Sequence, residues 1–263
     1  AHADALKDEI APTGKLRVAI AISPAGGAFW CTRTENGYAG VPVDLGKAMA
    51  APLGVPIDYV VHQNSGQITD AAANNAWDIT FLPKDAERET KMTFGPIYEV
   101  ADATYIVKPG STITSFAALD QDGVKVAAVN ATTTMRGAIA HLKHAKVTGY
   151  QTYDEIFNLL KGGGIDAFAL SRDQLNAMAS KIPGARVLDE TVKQPVPADA
   201  VPRDHPAAAA AARSGVRVRG RGWAGGSGRF LARVTDAQTL STTRQNRAEW
   251  FISTRCATSC AAR

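Results

Sequence analysis

The stretch "WDITFLPKDAERETKMTFGPIY", residues 77–98, decides how this chain is read. Ile79 to Leu82 is a short apolar run of strand character, and it breaks at Pro83 into a polar bend. Arg88 then stands among Asp85, Glu87 and Glu89, just ahead of the apolar "FGPIY". A guanidinium in that place has two uses. It can pair with its acidic neighbours on the surface, an arrangement that contributes little, about 0–1 kcal/mol. Alternatively, its planar fork can grip a carboxylate through two parallel hydrogen bonds. The rest of the chain has to distinguish them.

Outward from this stretch, short β-branched runs alternate with helical patterns, which is the signature of parallel α/β units. In the first round, "KLRVAIAI" (15–22), "IDYVV" (57–61) and "WDITFL" (77–82) are predicted strands. Between them, "VDLGKAMAAPLG" (43–54) and "SGQITDAAANNA" (65–76) are predicted helices, the former ended or kinked by Pro52 and the latter capped by Ser65. "DATYIVKPG" (102–110) has the look of a crossing strand. A second round follows, with strands at 124–129, 146–150 and 165–170 and helices at 132–143, 152–163 and 172–182, closed by "ARVLDE" (185–190). Two similar rounds imply two lobes. The spacing predicts a first lobe over 1–104, a second over 105–192 and a proline-rich return over 193–212.

Residues 213–263 have a different texture. From residue 203 on there are eleven Arg and no Lys against three acids, Asp204, Asp236 and Glu249, while all twelve Lys lie earlier. Such a basic segment suggests nucleic-acid or anionic-lipid binding. A frame shift in GC-rich DNA would also produce a sudden loss of Lys with an excess of Arg, Ala and Gly, and a tail with so few aliphatic residues reads as disordered. Three cysteines, Cys31, Cys256 and Cys260, do not make a disulfide framework, although Cys256 and Cys260 could bridge locally. No apolar run reaches the ~18 residues of a membrane span.

In open α/β sheets, ligands bind beyond the carboxyl ends of the strands, beside helix N-termini that favour anions. Three segments fall there: the loop from Ser23 to Trp30 with Phe29 and Trp30, the strand end Phe81–Leu82 leading to Arg88, and "NATTTM" (130–135) with Thr132 and Thr133. Arg88 with Thr132 and Thr133 would make a carboxylate clamp drawn from both lobes. His141 and His144 share a helix face but lack acidic or Cys partners, so no metal is expected. The phosphate-loop, hydrolase-elbow and zincin patterns are missing, and no cofactor is expected.

The quoted residues resemble the family 3 extracellular solute-binding proteins, the periplasmic receptors of polar amino-acid ABC importers. "GYAGVPVDLGKAMA" (37–50), the opening stretch extended to Val107, "VKVAAVNATTT" (124–134) and "LLKGGGIDAFAL" (159–170) carry the resemblance, over roughly residues 13–206. It implies an α/β, two-lobe, type II periplasmic-binding-protein-like fold, each lobe a mostly parallel sheet flanked by helices. It also implies an exported monomer, its signal peptide removed, that closes on a small carboxylate at Arg88 and delivers it to a membrane permease, with no enzymatic activity and no nucleic acid. Two departures bear on the ligand. Ala131 stands where the family usually has Gly, and Ser171 stands where amino-acid binders usually place the acid that takes the ligand ammonium. Two rivals keep different chemistry: a cyclohexadienyl-dehydratase-like enzyme on the same fold, with Asp173 as general acid, and a nucleic-acid binder built on the Arg-rich tail.

Overall fold

The computed structural model describes residues 7–23, 30–197 and 200–202, and the backbone of three tail strands at 217–221, 231–235 and 250–253. Among these residues no helix is long and apolar enough to cross a membrane.

The first sheet grows from the alternation in Leu16–Ala21 (β1), whose Leu16, Val18 and Ile20 face one core while Ala19 faces another. β1 lies between Ile57–His62 (β4) and Ile79–Thr80 (β5), parallel to both, so the strand order reverses beside it. Such a switch point leaves a crevice at the carboxyl ends of the strands. A small hairpin of Thr32–Thr34 (β2) and Gly37–Ala39 (β3) leads into Val41–Leu53 (α1). Helix α1 covers one face of the sheet, and Ser65–Ala71 (α2) covers the other with Ile68. Trp77 is wholly buried against α2 and donates its indole N–H to the Ile68 carbonyl at 3.0 Å. After β5 come Ala86–Lys91 (α3) and Met92–Phe94 (β6).

The chain then passes into the second sheet along Ile97–Val107 (β7), which pairs antiparallel with Ala167–Ser171 (β10), Arg186–Val187 (β11) and Val192–Pro197 (β12). Lys125–Val129 (β8) lies parallel between Lys146–Tyr150 (β9) and β10. The helices of this lobe are Phe116–Leu119 (α4), Thr133–His141 (α5), Tyr153–Lys161 (α6) and Arg172–Ala179 (α7). Alternation again sorts the two cores: Val126, Ala128, Ala167 and Ala169 face one, and Ala127, Val129, Phe168 and Leu170 face the other. β12 returns the chain to Ala200–Pro202 (β13), antiparallel to β5 and β6. Both sheets are therefore mixed. The boundary drawn at residue 104 falls inside β7, because all of that strand pairs in the second sheet.

The tail contains an element the composition did not suggest. Arg217–Arg221 (β14), Leu231–Thr235 (β15) and Trp250–Ser253 (β16) pair into an antiparallel three-stranded sheet. Trp250–Ser253 is rich in strand formers, with Trp250, Phe251 and Ile252, whereas Arg217–Arg221 has only Val218 of that kind. Cys256 and Cys260 lie outside the described residues.

Candidate functional site

A cleft of about 410 Å³, measured with its open mouth, lies where the carboxyl ends of β1, β5, β8 and β10 converge. The first lobe lines it with Ala21, Ile22 and Ser23 after β1, with Trp30, with Ser65 at the start of α2 and with Pro83 after β5. The second lobe contributes Thr132, Thr133 and Thr134 at the start of α5, Tyr153, Leu170 and Ser171 at the end of β10, Gln174 on α7, and Gln194 from β12.

Arg88 is fully buried directly behind this lining, and none of its neighbouring acids holds its side chain. Its Nε donates to Thr69 Oγ1 at 3.0 Å, Nη1 to the Pro83 carbonyl at 2.7 Å, and Nη2 to Ser65 Oγ at 2.9 Å and the Ser65 carbonyl at 3.3 Å. Ser65 and Pro83 both line the cleft, so the guanidinium forms its cationic backing. These four bonds leave one Nη1 N–H of the five guanidinium donors without an acceptor among the described residues. Burial pushes the group down to about 10, with the Asp85 charge opposing, and it stays protonated at neutral pH. The surface acids have other partners: Lys84 meets Glu89 at 2.6 Å, and Lys91 lies 3.4 Å from Glu87.

Asp85 has two tasks. Its Oδ1 caps α3 by accepting from the Arg88 backbone N–H at 2.9 Å, and its Oδ2 accepts from Arg136 of the second lobe at 2.9 Å. Arg136 also reaches Glu87 at 2.9 Å. Burial would raise the Asp85 carboxyl, but the Arg88 N–H and the Arg136 guanidinium outweigh it and hold the group below its ordinary value. Two further contacts join the lobes across the cleft: Trp30 Nε1 donates to Ser171 Oγ at 3.0 Å, and Asn64 Nδ2 donates to the Gln151 carbonyl at 3.3 Å. The lobes also approach closely at Gly66. A Cβ there would lie 2.5 Å from the Asn130 carbonyl oxygen and 2.8 Å from the Ala131 Cβ. The lobes are thus in a closed arrangement.

Four of the expected site residues line this cleft: Trp30, Thr132, Thr133 and Ser171. Arg88 backs it. Phe81 and Leu82 lie in the hydrophobic cores of the first lobe, since β5 ends at Thr80 and the chain beyond turns them inward. Phe29 lies outside the described residues. The Thr132 hydroxyl is occupied, accepting from the Met135 N–H at 3.2 Å and donating to the Val129 carbonyl at 2.7 Å. Thr133 Oγ1, in contrast, is buried without a partner among the described residues. Ala131 holds φ at 55°, the left-handed region that favours glycine. His141 packs edge-on against Phe116 while His144 faces Asp122. Asp173 has one buried oxygen without a partner among the described residues and is not part of the cleft lining.

Among the cleft residues that the sequence reading missed are Ser65, Pro83, Tyr153, Leu170 and the two amides Gln174 and Gln194. Both are buried. The signal for Gln174 was its spacing, one turn along the helix that Ser171 begins; for Gln194 it was an amide within the strand that closes the second lobe.

This arrangement has relatives. Among curated proteins, the glutamine-binding protein of Geobacillus stearothermophilus is 32% identical over 105 residues, which are 40% of this chain and only 40% of that protein's length. Among solved structures, an ancestral amino acid-binding protein, a precursor of cyclohexadienyl dehydratase, is 28% identical with a TM-score of 0.64, over 78% of this chain and 88% of the other. The arginine-bound form of truncated ArgBP from T. maritima shares the fold with a TM-score of 0.66 and 23% identity, over 77% of this chain and 95% of that one. The two lobes with their mixed α/β sheets form the type II periplasmic-binding-protein fold. With the family model matching residues 18–218, the chain belongs to the bacterial extracellular solute-binding proteins, family 3.

Proposed function

We propose that this protein captures a small carboxylate, an amino acid or a close relative, in the periplasm and presents its closed form to the permease of an ABC importer. The single observation that carries this reading is the buried Arg88 guanidinium behind the cleft wall, with one N–H left over beside Pro83 and Ser65. A buried cation bonded to the wall of a polar cleft favours an anion there, and the anion is held more tightly once closure removes water. Closure contacts from both lobes support a hinge mechanism in which ligand stabilises the closed state through its higher affinity for that state. The relatives, a glutamine-binding protein and an amino acid-binding ancestor, support an amino acid or a similar molecule. Binding without chemical conversion is the reading the family membership supports.

The test is a thermal-shift screen of amino acids and organic acids. A ligand at a hundred times its dissociation constant adds about 2.7 kcal/mol of stability. A screen in which no carboxylate raises the melting temperature contradicts the proposal.

A further inference from the structure

Gln174 is only 1% exposed, lines the cleft, and has no hydrogen-bond partner among the described residues for either end of its carboxamide. A buried amide with both its donor and its acceptor unmet is costly, and such groups are rare without a reason. The remaining lining sharpens the point. Among the described residues it contains no carboxylate, and the hydroxyl where an ammonium-binding acid would stand, Ser171, already accepts from Trp30. Arg88 supplies a cation directly behind the cleft wall, bonded to Pro83 and Ser65.

We propose that Gln174 is the specificity-determining residue of this cleft, and that it selects a carboxylate whose far end is an uncharged primary carboxamide. A carboxamide is self-complementary to Gln174: its N–H meets Gln174 Oε1 while its carbonyl accepts from Gln174 Nε2. A cationic side chain finds no acid to pair with among the described lining residues. An apolar side chain leaves both amide ends unmet, which is the strongest form of rejection a polar site can exert. This inference rests on the carboxylate-capture reading above and adds the identity of the group at the other end of the ligand.

Titration calorimetry on the full chain tests it, with L-glutamine, L-norleucine and L-arginine as probes. Wild type is expected to prefer L-glutamine to L-norleucine by about tenfold or more, the penalty for orphaned buried polar groups. Gln174→Leu fills the same space without polar ends and is expected to bring that ratio close to one. Gln174→Glu keeps the shape, adds the missing acid, and is expected to move preference toward L-arginine. If both variants keep the wild-type glutamine-to-norleucine ratio, or if wild type prefers L-arginine, Gln174 is not the determinant. Failure of all three probes and of the wider carboxylate screen on wild type would instead overturn the capture reading itself.

Discussion

At the scale of single residues, Arg88 carries the most. Its bonds to Thr69, Pro83 and Ser65 tie α2, α3 and the strand end together, so it is structural as well as a candidate anchor. Arg88→Lys retains the charge but cannot reproduce the fork; it is expected to lower folding stability by about 1–3 kcal/mol in urea denaturation, because buried acceptors lose their donors. Ser171 is the second decisive position. Ser171→Asp adds a carboxylate beside the cleft and is expected to favour an amino acid over its deaminated analogue by about 1–3 kcal/mol, read as the change in their affinity ratio. Much of this scale was legible. The stretch around Arg88 contains enough acids to suggest a surface pair, yet the residues after a strand end pointed to a cleft. What remained hidden was Ser65: read as a helix cap, it gives its hydroxyl to Arg88, and Asn64 caps α2 instead by accepting from the Gln67 N–H. Asn and Ser are equally good caps, so composition alone does not choose between them.

At the scale of elements, closure depends on how near α2 of the first lobe comes to the loop after β8. Gly66 lacks the Cβ that would strike the Asn130 carbonyl, a backbone atom with little room to move. Gly66→Ala is therefore expected to oppose closure by about 1–3 kcal/mol, weakening ligand affinity while leaving the unliganded melting temperature nearly unchanged. The Arg136–Asp85 contact adds a pH dependence. Because the Asp85 carboxyl is held below its ordinary value of 3.8 when the lobes meet, its contribution to closure is complete above that value and is lost as pH falls through the depressed one. Wild type and Arg136→Ala are thus expected to differ in affinity by about 1 kcal/mol at pH 7 and to converge only as pH falls through the depressed Asp85 value, below the ordinary 3.8. Long periodic elements such as β1, α1 and β8 were readable from the sequence, whereas β2, β3, β6 and β13 were not: strands of three residues are too short to display alternation.

At the scale of the whole molecule, the two-lobe architecture follows from the repeated strand–helix rounds, and the first crossing runs along β7, Ile97–Val107. The paired strands β7 and β12 extend the second sheet as far as the crossings, and a run of β-branched residues gives no sign of where one lobe yields to the other. The tail is where sequence and structure differ most, since its three strands pair with one another. Truncation after Ala212 is expected to change ligand affinity by no more than about 0.5 kcal/mol, the range for changes remote from a site. The central claim is that a carboxylate enters the cleft against Arg88. Calorimetric titration of wild type and Arg88→Ala with the best carboxylate from the screen tests it most directly, with circular dichroism confirming that the variant is folded. A loss of about 2–5 kcal/mol in binding free energy is predicted, because the ligand anion would be left without its cation in the closed cleft. Equal affinity in a folded Arg88→Ala protein would contradict the account.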